Sequence, residues 1–145
     1  MRVLVIEDNP NKLKQIKNFL NEYYKELYIG ETYSFNGGKE KLYMEKWDLI
    51  LLDMSLPTYD ITHAEYGGDK KPIAGKNLMK RMLNRKIFTP VVIITQFETF
   101  DDDKISLDSL NQEFKEKFSS IWKGTIFYGN EDWMIELKGI LDELK

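Results

Sequence analysis

Three carboxylates stand at places in this chain where they could do chemistry together. Glu7 and Asp8 directly follow an apolar run at residues 2–6, and Asp53 ends the run DLILLD at residues 48–53. An acid that ends a buried apolar run must be paired, capped or liganded. Acids packed together also need a cation, and an all-oxygen ligand set suits Mg²⁺ better than zinc or copper. We therefore predict a magnesium site.

Asp53 differs from the other two acids in its place. It directly terminates the most apolar run, whereas Glu7 and Asp8 are adjacent in sequence and are better placed to share metal ligation. An aspartate beside a bound metal can attack phosphorus and form an acyl phosphate. We expect Asp53 to be the nucleophile and phosphoryl acceptor.

The elements that must position these acids alternate along the chain. Five short apolar runs are each followed by apolar residues at helical spacing. The predicted strands lie at 2–6, 28–35, 48–53, 91–95 and 125–128, and the helices begin near 10, 39, 76, 107 and 133. Asn9 is predicted to cap the first helix, and residues 36–38 to form a turn before the second.

Alternation of this kind predicts a doubly wound α/β domain, with parallel strands and helices on both faces of one sheet. Functional residues of such sheets lie beyond the carboxyl ends of the strands. Glu7, Asp8, Asp53 and Thr95 all end predicted strands, and a fifth strand ends near Asn130. The three carboxylates should therefore meet in one crevice.

Length and composition narrow the class of protein. The 145 residues fit one compact domain, 1–145, and the net charge of -3 excludes a strong overall attraction to nucleic acid. Lys12, Lys14 and Lys17 are interpreted as a solvated helix face.

The chain has no cysteine, which excludes disulfides and fits a reducing cytoplasm. The acidic pair interrupts the first apolar run too early for a signal peptide or membrane span. We expect a cytoplasmic protein with no direct nucleic-acid or membrane partner.

Several segments, taken in order, resemble the signature segments of the bacterial response-regulator receiver family. They are MRVLVIEDNP, then DLILLDMSLP, then a glycine that opens a helix at Gly75, then PVVIIT. The order and spacing cover most of the chain. The resemblance implies a flavodoxin-like fold, with five parallel strands in the order 2-1-3-4-5.

The resemblance also implies partners and ligands. A histidine kinase or phosphotransfer protein would donate a phosphoryl group to Asp53. Mg²⁺ would be held by Glu7, Asp8, Asp53 and the backbone carbonyl of Ser55. An output protein would be a further partner, and a homodimer is one oligomeric state compatible with the sequence.

A two-state switch is a further implication of the resemblance. Thr95 would hydrogen-bond the bound phosphoryl group and pull the following loop inward. An aromatic residue on the last strand, best matched by Phe127, would turn in behind it. A protein-binding face would change as a result.

The chain departs from the family pattern at three places. One is Gln96, which follows Thr95 where the family usually has a small residue. The family has a lysine at the end of the last strand, and that place falls on Asn130, which carries no positive charge and reads equally well as a helix cap. The loop at about residues 58–74 is longer than the few residues usual there and contains the only histidine, His63. A long loop in a compact domain is more often functional or disordered than neutral, whereas a lone loop histidine is usually just exposed.

Three functions remain open from the sequence. The first is a phospho-switch that is not an enzyme beyond Mg²⁺-dependent self-phosphorylation and dephosphorylation at Asp53. The second is a degenerate receiver that binds a partner without phosphorylation, which the missing lysine favours. The third is a phosphohydrolase, which needs a second acid soon after the nucleophile to protonate the leaving group. Ser55 stands at that position.

Overall fold

A computed structural model describes residues 1–60 and 70–145 of the chain. Helices and strands alternate along most of it, as the apolar runs predict. In chain order the elements are β1 (Arg2–Ile6), α1 (Pro10–Tyr23), β2 (Tyr28–Thr32), α2 (Phe35–Met44), β3 (Leu49–Leu52), β4 (Leu56–Pro57), β5 (Lys70–Lys71), α3 (Ala74–Asn84), β6 (Val91–Thr95), β7 (Thr99–Phe100), β8 (Ile105–Ser106), α4 (Leu107–Lys117), β9 (Trp122–Phe127) and α5 (Trp133–Leu144).

The main sheet has five parallel strands in the order β2-β1-β3-β6-β9. This confirms the predicted flavodoxin-like order 2-1-3-4-5. The order reverses direction at β1, so β1 and β3 lie side by side at the centre. The residues that follow these two strands therefore emerge next to each other, which is where such folds bind ligands.

Alternate residues of β1 face opposite sides of the sheet and build two cores. Val3 and Val5 pack with the buried stripes of α1 and α5, whereas Leu4 and Ile6 pack with those of α2, α3 and α4. All four of these side chains are fully buried. A strand covered on both faces has to be apolar throughout, which is why β1, β3 and β6 read as unbroken hydrophobic runs.

The start of α1 follows the sequence prediction closely. The Asn9 side chain accepts hydrogen bonds from the backbone N–H groups of Asn11 and Lys12, and Pro10 occupies the first helical position. This cap turns the chain from β1 into α1 within three residues of Ile6. The acidic pair therefore lies directly between a central strand and a helix start.

Several predicted boundaries are wrong. The second strand ends at Thr32 instead of at 35. Residues 36–38 lie inside α2 rather than in a turn, because Ser34 caps that helix by accepting a hydrogen bond from the Gly37 N–H. The cap and the packing of Phe35 outweigh the turn preference of two glycines. Helix α3 begins at Ala74 instead of near 76, and the last strand covers 122–127 instead of 125–128.

Two short antiparallel ribbons were not predicted. The pair β4 and β5 joins the two ends of the long loop, with Leu56 opposite Lys71 and Pro57 opposite Lys70. The pair β7 and β8 lies between β6 and α4. His63 and most of the predicted 58–74 insertion lie outside the described residues. No helix in the two described ranges is long and apolar enough to cross a membrane.

Candidate functional site

The three predicted acids lie together beyond the carboxyl ends of β1 and β3. The Glu7 N–H donates to the carbonyl of Thr32 and the Asp53 N–H to that of Ile6, both at 3.0 Å, so both backbones continue the hydrogen bonding of the sheet. One carboxylate oxygen from each of Glu7, Asp8 and Asp53 lies within 4.8 Å of the others. The convergence expected from the sequence is present.

The acids differ in their exposure. Glu7 is 1% exposed and Asp53 is 3% exposed, whereas Asp8 is half-buried at the rim. Asp53 Oδ1 accepts a hydrogen bond of 2.7 Å from the Met54 N–H, and Glu7 Oε2 accepts one of 3.1 Å from the Asn9 N–H. Each buried carboxylate thus has one oxygen held by backbone and one directed elsewhere.

The second oxygen of each buried acid faces Lys12. The Lys12 Nζ lies 2.6 Å from Glu7 Oε1 and 3.4 Å from Asp53 Oδ2, and it donates a 2.7 Å hydrogen bond to the carbonyl of Ile94. An ammonium group has three N–H bonds, and these three acceptors use all of them. Lys12 itself is completely buried. Its charge lies inside the acidic cluster.

The interpretation of Lys12 as part of a solvated helix face is therefore wrong. Lys14, two residues on, is exposed as expected. Lys12 precedes Ile16 and Leu20 by four and eight residues, so it lies on the buried stripe of α1. That spacing was the available signal, since a lysine on a buried helical stripe needs an acid to pair with.

Burial dominates the electrostatics of the buried pair of acids. It raises the pKa of Glu7 from its ordinary value of 4.5 to about 7, and the nearby Asp53 carboxylate adds to the rise while Lys12 opposes it. Burial likewise raises the pKa of Asp53, against the opposing effects of Lys12 and the Met54 N–H. Even a 2.6 Å ion pair with Lys12 does not offset the desolvation of Glu7. The cluster still favours a further cation.

The loop after β3 is held against the start of α3. The Gly75 N–H donates to the Met54 carbonyl at 2.9 Å. A Cβ atom at residue 75 would lie 2.8 Å from the Asp53 carbonyl oxygen and 3.1 Å from the Met54 Cα. Only glycine allows this approach without a shift of backbone. Ser55, whose carbonyl is a predicted metal ligand, is buried in the same loop.

Thr95 ends β6 and is completely buried. Its hydroxyl accepts a long contact, 3.4 Å, from the Phe97 N–H, while its backbone carbonyl accepts a 2.7 Å hydrogen bond from the Tyr128 N–H. Phe127 pairs with Thr95 across the sheet and is partly exposed. A Cβ at Gly129 would lie 2.7 Å from the ring of Phe127, so the ring lies over that glycine.

Asn130 bonds to the start of α5. Its amide donates to Glu136 at 2.8 Å and its side-chain oxygen accepts from the Asp132 N–H at 3.1 Å, and the residue is exposed. The interpretation of Asn130 as the helix cap is wrong, because the N-cap of α5 is Asp132, and Asn130 instead holds the turn that leads into this helix. Because β9 ends at Phe127, the residue that directly follows the strand is Tyr128. The ring of Tyr128 lies 5.6 Å from the Lys12 Nζ.

The donor set fits a hard divalent cation. Its atoms are carboxylate oxygens from Glu7, Asp8 and Asp53, and Asp8 is half-buried at the rim of the cluster. Mg²⁺ prefers oxygen ligands and keeps several waters when it binds. A site with one rim carboxylate and two buried ones meets both requirements.

Curated proteins resemble this chain over nearly its full length, although no protein-family model matches it. The Detocs response regulatory protein DtcB of Enterobacter cloacae is 30% identical over 150 residues, which cover 99% of this chain and 100% of the relative. The uncharacterized protein y4jR of Sinorhizobium fredii is 28% identical over 145 residues, 95% of each chain.

Solved structures share the fold at low sequence identity. The receiver domain of a sensor histidine kinase from Pseudomonas aeruginosa, with magnesium coordinated in its active-site cleft, is 15% identical with a TM-score of 0.63, over 98% of this chain and 94% of that one. A Thermotoga maritima response regulator in complex with Mg²⁺ and beryllofluoride is 16% identical with a TM-score of 0.61, over 99% and 98%.

Proposed function

Because this chain belongs to the response-regulator receiver family, we propose that it accepts a phosphoryl group on Asp53 within a two-component or phosphorelay system. The observation that carries the proposal is the buried carboxylate of Asp53 at the end of β3, with oxygens of Glu7 and Asp8 within 4.8 Å. The donor would be the phosphohistidine of a histidine kinase or phosphotransfer protein. Phosphorylation of Asp53 would control the binding of an output protein.

The two oxygens of Asp53 differ in freedom. Oδ1 is held by the Met54 N–H at 2.7 Å, whereas Oδ2, within residues 1–60 and 70–145, has the longer 3.4 Å contact with Lys12. Oδ2 is therefore the freer nucleophile. In the transfer an oxygen–phosphorus bond forms at Asp53 and the phosphorus–nitrogen bond of the donor breaks, and the donor imidazole keeps the electron pair.

The metal ligands we propose are Glu7, Asp8, Asp53 and the backbone carbonyl of Ser55. Bound there, Mg²⁺ would supply neutralisation of the charge on the phosphoryl oxygens. Glu7 and Asp53 are held in place by the backbone N–H groups of Asn9 and Met54, so the ligand geometry is largely formed beforehand. Asp8 leaves the rim open to the donor.

The switch is proposed to begin at Thr95. Its hydroxyl makes a long contact, 3.4 Å, with the Phe97 N–H, and the loss of such a weak contact on rotation toward a phosphoryl group costs little. The same residue is tied to the last strand through its carbonyl and the Tyr128 N–H. Phe127, its cross-strand partner, would then move and change a protein-binding face near β7, β8 and α4.

Mass spectrometry after incubation with acetyl phosphate tests the proposal. We expect one added phosphoryl group in the presence of Mg²⁺ and none with EDTA or in Asp53→Asn. Asp108→Asn is the matched control, because Asp108 is an exposed aspartate on α4. An unmodified wild type, or modification that persists in Asp53→Asn, would contradict Asp53 as acceptor.

A phosphorylation-independent interaction module is the second candidate, and Lys12 favours it. Lys12 already pairs with Glu7 and Asp53, so an internal cation partly neutralises the acids without a metal. Under this alternative, Mg²⁺ would not raise the melting temperature, acetyl phosphate would not modify the chain, and Asp53→Asn would leave partner binding unchanged. We propose a cytoplasmic location and a single domain over residues 1–145 for either function.

A further inference from the structure

We propose that Lys12 is a catalytic residue of this receiver and that its ammonium group contacts the phosphoryl group on Asp53. The positive charge would thus be delivered by the first turn of α1, not by a residue that follows β9. The inference rests on the proposed function, because it concerns the same phosphoryl group. It concerns a residue that the sequence indicated to be solvent-exposed.

Lys12 has the position that this role requires. Its Nζ is anchored by the Ile94 carbonyl at 2.7 Å and faces Asp53 Oδ2, the freer oxygen of the nucleophile, at 3.4 Å. When Oδ2 forms a bond to phosphorus, it loses its negative charge and most of its attraction for the ammonium group. Phosphoryl oxygens with negative charge arrive beside it at the same moment, and the N–H that faced Oδ2 can donate to one of them.

Metal ligation would release a second N–H bond of Lys12. Its shortest ion pair, 2.6 Å, is with Glu7 Oε1, and Glu7 is a proposed metal ligand. A Glu7 carboxylate shared with a metal attracts Lys12 less, so two of the three N–H bonds become available for the phosphoryl group. The Ile94 carbonyl is on the backbone of β6 and keeps the ammonium group in place.

Other candidates for the cation are poorly placed. Among the described residues, Lys70 is the other lysine paired with these acids, and it lies 3.9 Å from Asp8 with a side chain that is 53% exposed. Exposed charges at such distances are largely screened by water, whereas a buried cation acts through a low dielectric. Asn130 is neutral, and its side chain bonds to Glu136 and Asp132.

Beryllofluoride with Mg²⁺ is a suitable probe, because it mimics a phosphoryl group on an aspartate without a transfer step. Fluorine NMR of the bound group gives its affinity, and calorimetry gives the affinity for Mg²⁺ alone. In Lys12→Met we expect Mg²⁺ affinity equal to or higher than that of the wild type, because a positive charge leaves the site. We expect beryllofluoride affinity to fall about 100-fold, the cost of removing one charge-stabilising donor.

Two lysine variants serve as matched controls. Lys14→Met changes an exposed lysine of the same helix, and Lys70→Met removes the competing cation at Asp8. Both should bind beryllofluoride like the wild type. A loss in Lys70→Met with none in Lys12→Met would overturn the proposal.

A double variant that moves the positive charge from residue 12 to residue 128 tests whether beryllofluoride binding is recovered. The ring of Tyr128 lies 5.6 Å from the Lys12 Nζ, so a lysine at residue 128 can bring its ammonium group near the same place from β9. Lys12→Met combined with Tyr128→Lys should regain beryllofluoride binding relative to Lys12→Met with the native Tyr128. If Lys12 only neutralises Glu7 and Asp53 structurally, folded Lys12→Met will bind beryllofluoride within about threefold of wild type, far from the loss expected for a lost donor, and the proposal fails.

A structure of the wild type with Mg²⁺ and beryllofluoride decides the matter if Lys12→Met does not fold. The Lys12 Nζ should lie within about 3.2 Å of a fluorine atom, and a greater separation would refute the contact. Failure of the proposed function gives a different result, since the wild type would then neither bind beryllofluoride nor take up phosphate. The two ideas can therefore fail separately.

Discussion

Two sides of the site contrast in how their residues are used. The acidic side, made of Glu7, Asp8, Lys12 and Asp53, has side chains that contact one another, with separations from 2.6 Å upward. The β9 side, made of Phe127, Tyr128 and Asn130, has partly or fully exposed residues, and Asn130 bonds to α5. The difference teaches that the groups suited to metal binding and to the proposed phosphoryl transfer lie on the acidic side.

The positions of the strands account for this contrast. β1 and β3 are central strands with helices on both faces, so the residues that follow them emerge side by side into one crevice. β9 is an edge strand, and Asn130, which follows it, forms hydrogen bonds with residues at the start of α5. A charge supplied from β9 would have to reach back past Tyr128, whereas Lys12 already lies between Glu7 and Asp53.

The largest expected difference between the acidic side and the β9 side is in the Mg²⁺ affinities of Asp8→Asn and Asn130→Ala. Removing a ligand carboxylate should weaken Mg²⁺ binding by roughly 100-fold, since changes to partners of metal ligands already cost about 10- to 100-fold. Asn130→Ala should leave Mg²⁺ affinity unchanged and cost about 1 kcal/mol of stability through the lost hydrogen bonds to Glu136 and Asp132. Calorimetry with Mg²⁺ and urea unfolding measure these effects. Equal losses of Mg²⁺ affinity in both variants would abolish the distinction.

Gly75→Ala sharpens the description of the acidic side. The new Cβ would lie 2.8 Å from the Asp53 carbonyl oxygen, so the loop after β3 or the start of α3 must shift. We expect a loss of about 2 kcal/mol in unfolding free energy, typical of an overpacked site, together with weaker Mg²⁺ binding.

Gly139→Ala is the matched control for that variant. A Cβ at residue 139 meets nothing within 4 Å, and the position lies inside α5. Alanine there should stabilise the helix by about 0.5–1 kcal/mol. Urea unfolding of both variants makes the comparison, and a Gly75→Ala protein as stable as wild type would show that the loop yields easily.

The pH dependence of Mg²⁺ binding gives a smaller effect. The pKa of Glu7 is raised to about 7, so below that pH the carboxyl must lose a proton before it can bind a metal. Mg²⁺ affinity should therefore rise by up to about tenfold per pH unit between about pH 6 and about pH 7 and level off above. Glu7→Gln should lack this rise, and an equal rise in that variant would assign it to another group.

The same titration affects the metal-free protein in the opposite sense. A carboxyl whose pKa is raised on folding contributes stability that is complete below the unfolded value of 4.5 and is lost as pH rises through about 7. Wild type in EDTA should therefore lose stability over that range relative to Glu7→Gln. Thermal unfolding at a series of pH values measures the difference.

Much of the fold was predictable because its apolar runs obey simple rules. The unbroken runs of β1, β3 and β6 indicated central parallel strands, and Asn9 followed by Pro10 indicated the start of α1. The convergence of Glu7, Asp8 and Asp53 followed from the topology. Errors arose where a local signal competed with packing, as at residues 36–38, where the Ser34 cap won.

Lys12 shows why the site was only half predictable. The carboxylates are revealed by the strands that they end, whereas the sequence signal for Lys12 is its spacing from Ile16 and Leu20, which indicates the buried stripe of α1 but not the partners of the lysine. Its burial depends on contacts with Glu7, Asp53 and Ile94, which come from three different strands. The sequence alone matches Asn130 to the position of the family lysine. Its hydrogen bonds to α5, however, depend on where β9 ends.

The hydrogen bond from Lys12 to Ile94 has a consequence for finding proteins of this kind. It lets a basic residue of α1 stand beside an acid that lies 41 positions further on, and in the role we propose for Lys12 this residue replaces a basic residue after the last strand. A sequence pattern that demands a lysine there would miss such a chain. A pattern that accepts one four positions after the second acid of the pair would retain it.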